Sequence, residues 1–239
     1  MENSIPDNWS KDDISDFIEK CRNHSFQVFA GAREDYSRLV AIDKIFREIQ
    51  TNLYNTNQLA ASLFFLRTHS SWLAAVSLSM SGQLPESYMV LRGSIENAVY
   101  GLYICKHPEL TEIWLKRNDT PAMKKKVRDE FHFSTMLELL KTINAKVGEV
   151  TSELYERAID HGAHPNQFSI TTALRISETE TRKHFDIAYI SGDSLTNQVC
   201  LKTCGQVGVT VLSIFHYVFK ERFEILSLDK KIDELKQFY

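Results

Sequence analysis

Apolar residues recur at steps of three and four along almost the whole chain, the spacing at which side chains share one face of an α-helix. From Ser10, a good N-cap with Asp13 three residues on, the stripe runs Ile14, Ile18, Cys21, Val28, Ala32, Tyr36, Leu39, Phe46, Ile49 and Leu53, which predicts a long amphipathic helix. Gly31 is the expected place for a bend in it. Residues 58–81 read as a second helix, apolar on most sides through Leu59, Leu63, Phe64, Phe65, Leu66, Trp72, Leu73 and Val76, and so predicted to be central, with neighbours covering it all round. Gly82 ends it, and Pro85 opens a third helix to about residue 106, whose stripe is Leu84, Tyr88, Leu91, Ile95, Val99 and Leu102.

Shorter helices come next. One lies after Pro108, one starts at Thr120-Pro121 and runs on through Leu140 and Ile143, and one lies near 151–161 and stops at Gly162. The period then changes. Phe168, Ile170, Thr172, Leu174 and Ile176 alternate with polar or small residues, and Phe185, Ile187 and Tyr189 alternate again, which predicts a β-hairpin within about 167–190 packed on the bundle. A long last helix through Leu195, Val199, Val207, Leu212, Phe215 and Leu226 carries Gly205 and Gly208, where another backbone is expected to come close. A short helix over 229–239 closes the chain. The fold class read from the pattern is therefore all-α, a helical bundle with long N- and C-terminal helices and a small inserted hairpin, in one domain with a core over about 10–226.

Composition agrees and excludes some functions. With 239 residues, 43% of them hydrophobic, and only nine Gly and five Pro, the chain holds one sizeable core and little linker. A net charge of −3 argues against broad attraction to phosphate backbones, and the one basic run, Lys124 to Lys126 with Arg128, is followed at once by Asp129 and Glu130. Cys21, Cys105, Cys200 and Cys204 show no paired spacing and lie in helical patterns, as reduced thiols in a cytoplasmic protein do. The N-terminus lacks a basic and then apolar signal pattern, and no apolar run reaches the ~18 residues of a membrane span, so no membrane partner is expected. No Gly-x-Ser-x-Gly and no phosphate-binding Gly-rich loop is present, and no cofactor is expected.

Two groups of residues carry chemistry. Arg92 and Glu96 stand at i and i+4 beside the third helix's stripe; such a pair fixes helix register, and with Tyr100 it can also line a polar pocket. The densest polar segment is Arg157-Ala158-Ile159-Asp160-His161-Gly162-Ala163-His164-Pro165-Asn166, where a helix runs out into a turn. His161 and His164 near that helix end are stabilised in charged form by its dipole, a role needing no catalysis. They are also candidates for a metal ion, with help from His132 or Glu96, although the Glu-x-x-His pairs of di-iron bundles are absent. Alternatively Arg157 and His164 act on a phosphodiester, the histidine as general base toward a ribose 2'-hydroxyl and the arginine holding the phosphate, with His161 and Asn166 in the same pocket.

The spacing Arg157, six residues, His164 resembles the Arg-x4–6-His mark of the HEPN superfamily of helical bundles. Over about residues 57–220, the helix segment Tyr88 to Glu96, the later Tyr155 and the stretch Gly162-Ala163-His164-Pro165 also look like a group of uncharacterised bacterial helical proteins regarded as HEPN-like. The resemblance implies a helical fold, a shared Arg/Glu/His pocket and, in many HEPN proteins, metal-independent RNA cleavage in bacterial defence and toxin–antitoxin systems. RNA is the implied partner, and a homodimer in which two copies of the motif meet is the implied assembly. The alternative expectations are a non-catalytic protein that dimerises through its helices, and a bundle that binds a small molecule or metal.

Overall fold

The N-terminal stripe folds as two helices, α1 (Asp13–Gly31) and α2 (Arg33–Thr51), because the backbone leaves helical geometry at Ala32, one residue past the expected bend. The N-cap is Asp12 rather than Ser10, its carboxylate accepting from Ile14 N and Ser15 N at 3.0 and 2.9 Å. Leu39, Phe46 and Ile49 of α2 are buried as the stripe requires, whereas Ile14 and Ile18 of α1 face solvent. This computed structural model describes residues 5–54, 58–163, 167–171, 174–179 and 182–239.

Gly82, at φ +78°, makes the turn that lays α3 (Leu59–Met80) antiparallel to α4 (Leu84–Lys106). Ser94 Oγ donates to Thr68 O at 3.1 Å and Ser87 Oγ to Ala75 O at 2.8 Å, so these two buried hydroxyls of α4 are satisfied across the seam. Then come α5 (Leu110–Leu115) and, in place of one expected helix, α6 (Pro121–Glu130) and α7 (Phe133–Ile143), which part where Phe131 and His132 leave helical geometry. α8 (Ala145–Ala158) starts earlier than expected because Asn144 caps it, accepting from Val147 N at 3.0 Å. It passes into a single π-helical turn (Ile159–Ala163). Residues 167–171, expected as strand, form the short helix α9 (Gln167–Thr171); five residues of mixed period are too few to distinguish the two.

The hairpin is present, with β1 (Leu174–Glu178) paired to β2 (Lys183–Ile187) in the register Leu174↔Ile187, Ile176↔Phe185, Glu178↔Lys183. It does not pack on the bundle. All five residues of β2 are exposed, and Ile176, Phe185 and Ile187 show their shared face to solvent. Its tether to the helices is Tyr189, edge-on to Phe17 with ring centroids 6.2 Å apart, and Ser191 N, which donates to Gly82 O at 2.8 Å.

The central helix is α10 (Ser194–His216), not α3: α2, α3, α4 and α8 all pack on it, and it is buried from Val207 through Phe215. α3 is the apolar helix left partly uncovered, with Leu59, Leu63, Leu66 and Leu73 exposed. Small residues explain the exchange. A Cβ at Gly208 would lie 2.8 Å from both Ile42 Cγ2 and Trp72 Nε1, and one at Gly205 would collide with the Tyr239 ring, so these glycines admit aromatic and aliphatic side chains rather than a second backbone. α10 ends at His216, earlier than expected, and α11 (Lys220–Ile225) and α12 (Leu228–Lys236) complete the chain. α10 is also long and apolar enough to cross a membrane by length and composition, but 78% of its apolar window is buried inside the bundle, the signature of a core helix.

Candidate functional site

Arg92 Nε donates to Glu96 Oε1 at 2.9 Å along α4, as the i, i+4 spacing predicts. The same oxygen accepts from the Tyr155 hydroxyl of α8 at 3.1 Å, and the Arg92 guanidinium lies over the Tyr155 ring, 5.2 Å from its centroid. Phe133 of α7 stacks on that ring at 3.8 Å. Burial, and then the Glu96 charge, pushes the Tyr155 hydroxyl up to about 12, so it stays a proton donor to Glu96 throughout the neutral range. Burial works against the charged form of Arg92, but Glu96 and Tyr155 more than offset it and hold the guanidinium pKa above its ordinary value. This is a closed, internally paired cluster at the meeting of α4, α7 and α8.

Tyr100 does not bond into it. Its ring stacks on Phe131 at 5.3 Å and its hydroxyl donates to Phe131 O at 3.4 Å, which turns it toward the link between α6 and α7. Its hydroxyl pKa is raised first by burial and then by the Glu96 charge.

Arg157 belongs to a second place. It is two residues beyond Tyr155, hence roughly 200° round α8, and so it points at α10. There Arg157 Nη1 donates to Gln206 Oε1 at 2.7 Å, and Gln206 Nε2 donates in turn to Tyr239 O at 3.2 Å. Arg157 is half-buried, and among the described residues no carboxylate forms an ion pair with it. His161, one turn further on, stacks on Tyr88 with centroids 5.0 Å apart. Burial lifts the Tyr88 hydroxyl to about 12; it is hydrogen-bonded to Thr203 and feels the Arg157 charge.

The π-helical turn makes this arrangement possible. Such a turn inserts one residue into the helix and re-aims the side chains beyond it. Gly162 within it is pressed on the carbonyl of Pro85, where a Cβ would clash, and this contact seats His161 against the first turn of α4. Among the described residues the candidate side chains fall in two neighbouring places, Arg92–Glu96–Tyr155 and Arg157–His161–Tyr88. His164 and Asn166 lie outside the described residues.

Gln206 and Tyr88 were not singled out as site residues from sequence. The signals were slight: Gln206 is the one long polar side chain between Gly205 and Gly208, and Tyr88 stands one turn before Arg92 inside an apolar stripe. Among the described residues no three His, Cys, Asp or Glu side chains gather as metal ligands; His161 stacks on a ring and His132 is exposed at the start of α7. No family model, curated protein or solved structure matches this chain.

Proposed function

We propose that the protein is HEPN-like and RNA-associated, a metal-independent ribonuclease of the bacterial defence or toxin type, with Arg157 holding the scissile phosphate and His164 as general base. The observation that carries this reading is the setting of Arg157. A half-buried guanidinium is usually neutralised by a carboxylate, as Arg92 is by Glu96. Arg157 is instead oriented by a neutral amide at 2.7 Å, so its position is defined while, among the described residues, no carboxylate neutralises its charge, which suits it to an external anion. Phosphodiester cleavage needs such a group, since negative charge builds on the phosphoryl oxygens in the transition state. Histidines come after Arg157 at positions 161 and 164, and an imidazole is the kind of group that takes the 2'-hydroxyl proton as general base. Arg92, Glu96 and Tyr155 hold α4 and α8 in register behind this site.

The test is incubation of total RNA with the protein in the presence of a chelator. Wild type is expected to cleave; Arg157→Ala and His164→Ala are each expected to lower the rate by about 100-fold or more. His161→Ala is expected to act less, because its ring is engaged with Tyr88. Cleavage that persists in both Arg157→Ala and His164→Ala defeats the assignment.

A further inference from the structure

The bare face of α3 has a regular pattern. Leu59, Leu63, Leu66 and Leu73 are 68%, 50%, 38% and 37% exposed, and Ser70 and Ser77, on the same face, are exposed with them. These six positions step by four and three in strict alternation, the spacing with which one helix meets another in a coiled coil, where each seam residue enters a hole on the facing helix. Arg67 is the one Lys, Arg, Asp or Glu of the helix, and it flanks the seam without interrupting it. The spacing says that the occupant is a helix, and the side-chain sizes along the seam say which one.

We propose that α3 pairs antiparallel with α3 of a second copy of this chain. In the register that places Leu66 beside the partner's Ser70, Leu63 falls beside the partner's Leu73 and Leu59 beside the partner's Ser77. Every seam position then meets another seam position, and the large leucines at 59 and 66 enter the space that the small serines leave. A parallel pair instead sets Ser70 on Ser70 and Ser77 on Ser77, two gaps along one seam, which costs packing that a dry interface needs. No other segment is required to complete the fit.

A 22-residue helix is ~33 Å long. One seam of that length lies at the lower end of the roughly 1,200–2,000 Å² that specific interfaces bury, so the dimer is reversible and concentration-dependent. In this register the two Arg67 side chains flank the dyad next to each other, so added salt, which screens their repulsion, strengthens the pair.

The dimer is independent of the RNA reading. Ser87 and Ser94 of α4 bond to α3, and Arg92 and Glu96 lie roughly 140–180° further round α4. The α3 seam is likewise on the side opposite Thr68 and Ala75, which meet α4. The assembly therefore keeps the two Arg92–Glu96 clusters, each complete in one chain, away from the dyad, and Arg157, which lies on α8 and donates to Gln206 of α10, is not part of the α3 seam.

Sedimentation velocity of the full chain over about a hundredfold range of concentration tests this. The mass is expected to rise from 27.6 kDa toward twice that value. The double variant Leu66→Glu/Leu73→Glu is expected to raise the dissociation constant at least about tenfold while keeping its circular dichroism, since both side chains are already partly in water, and Arg67→Ala is expected to tighten the pair. The register is read by oxidising a mixture of Leu63→Cys and Leu73→Cys chains, which is expected to yield the mixed disulfide, while neither variant links to itself above the wild-type background. A monomer at every concentration overturns the proposal. So does a dimer untouched by the double glutamate, or self-linking of either cysteine variant.

Discussion

His69 shows how much one buried polar residue constrains. It is 5% exposed, its ring stacks on Phe46 at 4.6 Å, and its Nε2 lies 2.7 Å from Asp43 Oδ1, which ties α3 to α2. Burial lowers the imidazole pKa below 6.5, more than Asp43 raises it, so the folded protein holds His69 neutral with Nε2–H donating to Asp43. Burial also works against the Asp43 charge, but hydrogen bonds from Arg47 and His69 win and lower its pKa. The unfolded chain binds a proton on His69 near pH 6.5 while the folded one resists until lower pH. The stability this residue contributes is thus complete above about 6.5 and drains as pH falls through the folded value; the Asp43 contribution is lost at still lower pH, below the ordinary carboxylate range. Thermal unfolding measured from about pH 8 to about pH 5 is expected to show a falling midpoint, and His69→Gln is expected to flatten that fall. At this scale Arg92 and Glu96 were legible because helical spacing alone joins them. The partners of Arg157 and His161 were not, because Gln206 and Tyr88 reach them from helices distant in the chain.

Among the elements, α10 is set by what its glycines admit. Trp72 Nε1 donates to Cys204 O at 2.8 Å, and this requires the indole to lie against α10 where Gly208 has no side chain. Gly208→Ala adds a methyl 2.8 Å from Trp72 and from Ile42, both buried and hemmed in by the core. It is expected to cost about 1–3 kcal/mol in urea unfolding, despite the better helix propensity of alanine. A stable Gly208→Ala with unshifted tryptophan fluorescence contradicts this account of the packing. Helix existence was legible almost everywhere, since each helix has its own apolar stripe. Helix ends were less so: Asp12 and Asn144 displaced the expected caps and starts, and the break at Phe131 and His132 has no glycine or proline to announce it.

For the whole molecule, the hairpin and the core are separable. β1 and β2 bond to each other and show Ile176, Phe185 and Ile187 to solvent, so the bundle does not draw its stability from them. Replacing residues 174–187 with a short Gly/Ser turn is expected to change unfolding stability by less than about 1 kcal/mol, as for exposed segments elsewhere, and a cooperative loss of the helical signal is the result that contradicts it. Period and composition by themselves determined that the chain is all-α with one small hairpin, because a 3.6-residue repeat of apolar groups is a local property readable from any window. They did not determine which of two apolar helices would be enclosed. α3 and α10 both read as core, and tertiary packing placed α10 at the centre because small residues there let neighbours approach from every side, leaving the leucines of α3 uncovered. The same limit applies to the described site residues: Tyr155 and Arg157 are two residues apart in sequence, and only the packing of α8 between α4 and α10 sends one to Glu96 and the other to Gln206.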